Sequence, residues 1–230
     1  MNALLIAGTD TGVGKTIVTT ALAAYWQRYY APERLGVIKP IECGTEAEAD
    51  RYTALSLSQS PESLNPIQLT VPLAPPIAAD RMGEPIRLEI AWQQFEALSQ
   101  QRDFVLVEST GGLGSPITHE TTMADLAWDW RLPTVLVVPV RSGAIAHAVA
   151  NVALAQQARV HLKGIILNCV EPCSLQAQED WMPIDLIQVL TQKPVLGCIP
   201  HLSDPTDLKK LVQVASNLEL ERLIPLVSLP

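Results

Sequence analysis

Cysteine, basic charge and long apolar runs are all scarce in this chain, and each scarcity excludes something. The four cysteines are Cys43, Cys169, Cys173 and Cys198. They form no C-x-x-C pair, and no Cys/His spacing matches a zinc site. The thiols therefore read as reduced residues of the core and loops. Lys and Arg number 16 against 24 Asp and Glu, for a net charge of −8 and a pI of about 5.0. An acidic chain without a basic run lacks the clustered cations that counterion release from nucleic acid requires. No apolar run approaches the length of a membrane span. The first apolar run has no basic region before it and no cleavage site after it, so the expectation is a soluble cytoplasmic protein.

What is present is a large apolar fraction, 48% of 230 residues against 17% charged. A chain of this size buries roughly 70% of its unfolded surface. With no repeat, linker or low-complexity segment, one domain over 1–230 is expected. Short apolar strands alternate with amphipathic stretches. Strands are expected at Asn2–Ala7, Leu35–Ile38, Phe104–Val107, Thr134–Val138, Gly164–Leu167 and Val195–Ile199. Helices are expected at Lys15–Tyr30, Leu88–Gln101, Thr122–Trp130, Ala144–Arg159, Pro183–Thr191 and Asp207–Leu218. Between Pro40 and Glu84, prolines at 61, 66, 72, 75 and 76 point to irregular structure, with Asp50–Ser58 as a possible helix. Alternation of this kind predicts an α/β fold: a doubly wound, mostly parallel sheet with helices on both faces.

The first strand runs into Gly8-Thr9-Asp10-Thr11-Gly12-Val13-Gly14-Lys15-Thr16. A glycine-rich turn at a helix N-terminus turns backbone N–H groups toward a phosphate, and the helix dipole adds positive potential. Lys15 would neutralise the outer phosphates, and the Thr16 hydroxyl would coordinate Mg²⁺. The strict P-loop pattern asks for glycine where this chain has Thr9, with Gly8 next door.

In open α/β sheets ligands bind beyond the carboxyl ends of the strands. Lys39-Pro40, Glu108, Asn168 and Pro200-His201 all follow strands and converge on that rim. Glu108 reads either as a magnesium-binding carboxylate in a Walker-B position or as a solvated strand-end acid. Asp50 reads as a third magnesium oxygen or as a helix N-cap. Lys39 reads either as an exposed surface lysine or as a cation that holds a transferring phosphoryl group or a carboxylated substrate. The Asn168 amide can pair with a base edge, although Asn after a strand is also an ordinary turn residue.

Five segments together resemble the dethiobiotin synthetase family: GTDTGVGKT at 8–16, KPIECGT at 39–45, VESTGG at 107–112, LN at 167–168 and IPHLSDP at 199–205. The resemblance implies a P-loop ATPase fold and an ATP-dependent carboxylation. CO2 adds to an amine of 7,8-diaminopelargonate, ATP phosphorylates the carbamate, and the second amine closes the ureido ring. It implies Thr16, Asp50 and Glu108 around Mg²⁺. It implies Lys15 and Lys39 on the carbamate and phosphoryl group, with Thr11 near the diamine. The nucleotide would lie along Thr9, Asp10, Thr11, Gly12, Val13, Gly14, Lys15 and Thr16. Asn168, Pro200, His201, Leu202 and Asp204 would hold its base. The diamine would meet Thr11, Lys39, Cys43, Gly111 and Gly112. A homodimer is implied as well, the substrate's carboxylate tail reaching the neighbouring subunit near Gly143, Ala144 and Ile145. The chain departs from the family at Cys43, often serine there, at Ser109-Thr110, and at Ala146, where asparagine is usual.

Two rival readings differ in class. A ParA/MinD-like switch ATPase carries a signature lysine where this chain has Asp10. The synthetase of a cobyrinate-type amidotransferase carries an extra glutaminase domain, for which the chain has no room.

Overall fold

β1 (Ala3–Gly8) is apolar at every position, which suits a strand covered on both faces. In the computed structural model, which describes residues 2–30, 34–44, 52, 55, 57 and 59–225, it lies inside a six-stranded sheet. The other strands are β2 (Leu35–Ile38), β5 (Phe104–Gly112), β6 (Thr134–Pro139), β7 (Leu162–Asn168) and β8 (Val195–Ile199). Their order is β2-β5-β1-β6-β7-β8, and every pairing is parallel.

The period of two along each strand builds two cores. Ala3, Leu5 and Ala7 of β1 join Val105, Val107, Leu136 and Val138 on one face. Leu4 and Ile6 join Phe104, Leu106, Val135 and Val137 on the other. The first face is covered by α4 (Leu88–Gln101), α5 (Met123–Asp129), α6 (Ala144–Gln157) and α8 (Ile184–Thr191). The second is covered by α1 (Lys15–Tyr29), α9 (Leu208–Ala215) and α10 (Leu220–Leu223). This is the doubly wound arrangement that the alternating sequence predicts.

Helix starts follow local chemistry. Thr122 and Asp125 form a reciprocal capping box at α5. The Asp207 carboxylate accepts from the backbone N–H groups of Lys209 and Lys210 at α9.

The segment expected to be irregular contains more order than its prolines indicate. Ile41–Cys43 (β3) and Ile67–Leu69 (β4) pair in parallel as a separate two-stranded ribbon. Pro61 opens α2 (Pro61–Leu64), and Pro75-Pro76 opens α3 (Pro75–Met82), which Gly83 ends in the left-handed conformation. Proline here starts helices, because the first turn needs no donor from it. A further short helix, α7 (Leu175–Trp181), is capped by Ser174. The last long helix is shorter than expected, since the chain turns at Ser216–Leu218 before α10. Most of the possible helix at 50–58 lies outside the described residues, as does Asp50.

Candidate active site

The carboxyl ends of β1, β2, β5, β7 and β8 open onto one cleft of about 940 Å³. Its floor is the glycine-rich loop. Gly12 and Gly14 have φ of +72° and +94°, the left-handed region that favours glycine. Gly8 has a different task. A Cβ there would lie 2.7 Å from Val13 Cγ2 and 3.2 Å from Lys15 Cδ. A side chain at Gly8 would therefore collide with the loop where it folds back over the strand end. The Thr9 N–H is itself engaged, donating to Val137 O at 3.1 Å.

Lys15 and Lys39 are both buried, at 7% and 5% exposure. Lys15 Nζ donates to Asp10 O at 3.0 Å. Lys39 Nζ forms ion pairs with Glu42 Oε2 at 2.5 Å and Glu108 Oε1 at 3.8 Å. Glu108 is 1% exposed, so the alternative of a solvated acid is wrong for it. It sits inside β5, which continues to Gly112 and does not stop at Val107. Thr16 Oγ1 donates to its Oε1 at 2.9 Å, and the Tyr52 hydroxyl donates to its Oε2. A buried carboxylate is stable only with such partners.

Thr16 and Glu108 supply hard oxygen atoms beside the phosphate loop, the donor type that Mg²⁺ takes. Among the described residues no group of three or more His, Cys, Asp or Glu side chains forms a metal cage. The pair fits an ion that keeps water and phosphate oxygens as its remaining ligands.

At the other end of the cleft, Asn168 Nδ2 donates to Val13 O at 3.0 Å and ties β7 to the loop. Pro200, His201 and Leu202 line the same end, and His201 Nδ1 donates to Val170 O at 3.0 Å. Thr11, Gly12, Gly14, Cys43 and Gly111 also line the cleft. A side chain at Gly111 would strike Ser115 Oγ at 2.2 Å, and one at Gly112 would meet Thr9 O at 2.8 Å. Both glycines permit close backbone approach.

Other expected site residues lie off the cleft wall. Thr9, Asp10 and Val13 belong to the loop but do not line the cavity. Asp10 Oδ1 instead accepts from Thr11 N at 2.7 Å. Asp204 caps its own turn by accepting from Thr206 N at 2.9 Å, while the neighbouring Pro205 lines the cleft. Gly143, Ala144 and Ile145 stand at the start of α6, away from this chain's cleft.

Sequence reasoning missed Tyr52, Glu42 and the wall Pro72–Pro75. Tyr52 had no signal, since it reaches Glu108 only across the tertiary fold. Glu42 had one: a charged residue two places after the strand-end Lys39-Pro40.

Burial pushes the Cys43 thiol up to about 11, with the Glu42 carboxylate adding to the rise and Lys39 opposing it. The proton is held more tightly in the folded chain than in the unfolded one. Its contribution to stability is therefore complete below about pH 8.5 and is lost as pH rises toward 11. Iodoacetamide should label Cys43 slowly near neutral pH and progressively faster up to about pH 11. Peptide mapping of the alkylated protein measures this, and rapid labelling at neutral pH would contradict it.

Cys169, Cys173 and Cys198 gather behind Asn168, all as free thiols. Cys173 Sγ lies 2.9 Å and Cys198 Sγ 4.0 Å from Cys169 Sγ. Burial first, and then the neighbouring thiols, hold Cys169 protonated.

Comparison with known proteins is consistent with this cleft. A family model described as an AAA domain matches residues 2–208. The chain is 53% identical to the ATP-dependent dethiobiotin synthetase of Gloeothece citriformis, over 98% of this chain and all of the relative. It is 51% identical to that of Crocosphaera subtropica, over 97% of this chain and 100% of the relative. For Synechocystis sp. the identity is 42%, over 96% of this chain and 94% of the relative. Among solved structures, a ParA family ATPase from Chlorobium tepidum is similar with a TM-score of 0.56 and 14% identity, over 96% of this chain and 95% of that one. The MinC:MinD cell division complex of Aquifex aeolicus gives 0.56 and 14%, over 96% and 94%. At that identity the likeness concerns the fold alone, a P-loop NTPase-like sheet.

Proposed function

From the premise that this chain belongs to the ATP-dependent dethiobiotin synthetase family, we propose how its cleft performs that ATP-dependent ligation. The observation that carries the reading is the meeting of two buried lysines with the Thr16–Glu108 oxygen pair at one phosphate loop.

ATP lies with its phosphates on the loop from Thr9 to Thr16 and its base between Asn168 and the Pro200–Asp204 turn. Backbone N–H groups and the α1 dipole hold the phosphates. Magnesium, when bound, neutralises charge on the phosphate oxygens. Thr16 and Glu108 would hold it, with Asp50 as a third oxygen. Glu108 Oε1 accepts from the Thr16 hydroxyl, and Oε2 accepts from the Tyr52 hydroxyl.

CO2 adds to one amine of 7,8-diaminopelargonate, and the resulting carbamate lies against Lys39 with Thr11, Cys43, Gly111 and Gly112 around the reacting end. Lys15 and Lys39 stabilise the charge that spreads over the phosphoryl oxygens during transfer. Phosphoryl transfer depends mainly on positioning and charge neutralisation, and this cleft offers both. The carbamate oxygen takes the γ-phosphoryl group as ADP leaves, and the second amine, in its neutral form, then attacks the carbon of the mixed anhydride and releases phosphate.

The substrate's carboxylate tail extends to backbone N–H groups at Gly143, Ala144 and Ile145 of a second subunit in a homodimer. An exposed stripe on α6 that includes Ala146, His147, Ala150 and Ala153 supports a contact there. The helix N-terminus offers donors without the asparagine that Ala146 replaces. Residues 1–230 act as one domain in the cytoplasm. No helix among the described residues is long and apolar enough to cross a membrane.

The switch-ATPase alternative lacks its signature lysine, since Asp10 stands in that place. Phosphate release from ATP with bicarbonate should require both Mg²⁺ and the diamine, and should match dethiobiotin formation measured by mass. Turnover that ignores the diamine would overturn the mechanism, and activity undiminished by a chelator would overturn the magnesium site.

A further inference from the structure

The cleft contains a second carboxylate that the mechanism above does not use. Glu42 lines the substrate end, beside Lys39, Cys43, Thr110 and Gly111. Its side chain is 17% exposed and held at both oxygens. Oε1 accepts from Cys43 N at 3.0 Å, and Oε2 meets Lys39 Nζ at 2.5 Å. Its backbone is also fixed. β3 pairs with β4, and the Thr110 hydroxyl donates to Ile41 O, fastening the ribbon to β5.

A carboxylate there opposes every anion of the reaction, namely ATP, the carbamate and the phosphoryl group. Glu108 has the Thr16–metal position to account for its charge. Glu42 already pairs with Lys39, and the substrate brings a second cation to the same end of the cleft. The diamine brings such a cation. An alkylamine titrates near the lysine value of about 10.4, so it is an ammonium at neutral pH. One amine must be neutral to take up CO2, while the other can stay charged until ring closure, when it gives its proton to water or to the phosphate oxygens and its freed lone pair attacks the carbamate carbon.

We propose that Glu42 is the ammonium receptor of the diamine and positions the ring-closing amine. Before substrate arrives, Lys39 occupies Oε2. When Lys39 turns to the carbamate and phosphoryl oxygens, the substrate ammonium takes its place at the same oxygen. One cation replaces another, and the buried charge stays balanced throughout. This gives Glu42 a role in substrate specificity: the cleft selects a molecule that carries a cation on the carbon next to the one that bears its carbamate. The inference rests on reading this end of the cleft as the diamine site.

The test is steady-state kinetics of dethiobiotin formation by wild type, Glu42→Gln and Glu42→Asp. Thermal unfolding is followed alongside. A charge-assisted hydrogen bond is among the stronger single contacts. Glu42→Gln should therefore raise the KM for the diamine about tenfold or more, leave the KM for ATP within about twofold, and lower kcat less than it raises KM. Glu42→Asp should recover part of the loss. A one-amine analogue lacking the ring-closing amine should bind wild type and Glu42→Gln alike by calorimetry. An unchanged diamine KM would overturn the proposal. So would a fall in kcat alone, or diamine and ATP KM rising together, because a residue that merely holds Lys39 in place predicts those patterns. If wild type forms no dethiobiotin from the diamine, the reading of the diamine site fails first and this inference goes with it.

Discussion

Lys39→Ala is expected to lower kcat for dethiobiotin formation by at least about 10²–10³-fold, the usual cost of removing one preorganised partner of a developing charge. Three features set the size of the effect. The ammonium is 5% exposed, so water does not replace it readily. It lies between Glu42 and Glu108, and its loss leaves two close carboxylates facing an anionic transition state. Lys15 is tied to the loop through Asp10 O. The variant also uncovers buried negative charge, so its melting temperature and ATP affinity should be measured with the kinetics. Lys39→Gln, which keeps much of the volume and a donor, should fold better and remain nearly inactive. A Lys39→Gln protein that binds ATP normally and keeps kcat within tenfold of wild type would remove Lys39 from the mechanism.

The second large effect is expected at Gly14. Its φ is +94°, and a Cβ there would lie 2.0 Å from Asn168 Nδ2. Asn168 is 3% exposed and its amide is engaged with Val13 O, so it has little room to retreat. Gly14→Ala therefore combines backbone strain, roughly 1–3 kcal/mol, with a broken buried hydrogen bond, roughly 1–3 kcal/mol. A melting temperature lower by roughly 5–15 °C follows for a chain of this size. ATP binding should be lost as well, because the glycine-rich loop and the Asn168 end of the cleft are distorted by the same clash. Gly12→Ala is the instructive comparison. Its φ is +72° but a Cβ there meets nothing within 4 Å. It should cost only the backbone term. Differential scanning calorimetry with an ATP titration separates the two, and equal melting temperatures would show that the Gly14–Asn168 contact does not constrain the loop.

The strands were legible because burial on both faces demands continuous apolar residues, and Val135–Val138 and Leu4–Ala7 leave no other reading. The helices were legible from period and caps, apart from short ones such as α3, where proline was read as a breaker and turned out to be a first-turn residue. The loop and its lysine were legible because the alternative, a plain tight turn, leaves Gly-Lys-Thr at a helix start unexplained. Lys39, Glu108 and Asn168 were legible by position, each following an apolar run that ends at the same rim.

The sequence by itself determined that this chain folds as an α/β sheet, where its phosphate loop lies, and which family it belongs to, because these properties are written in local spacing and in motifs. The tertiary structure alone decided what each polar group faces. Tyr52 meets Glu108 across 56 positions, and Asn168 meets Val13 across 155. Lys39 meets Glu108 across 69 positions as β2 pairs with β5. The physical reason is that short-range patterning reports which residues must leave water, whereas charge and hydrogen-bond partnership depends on distances of a few ångströms between segments that only the closed sheet brings together.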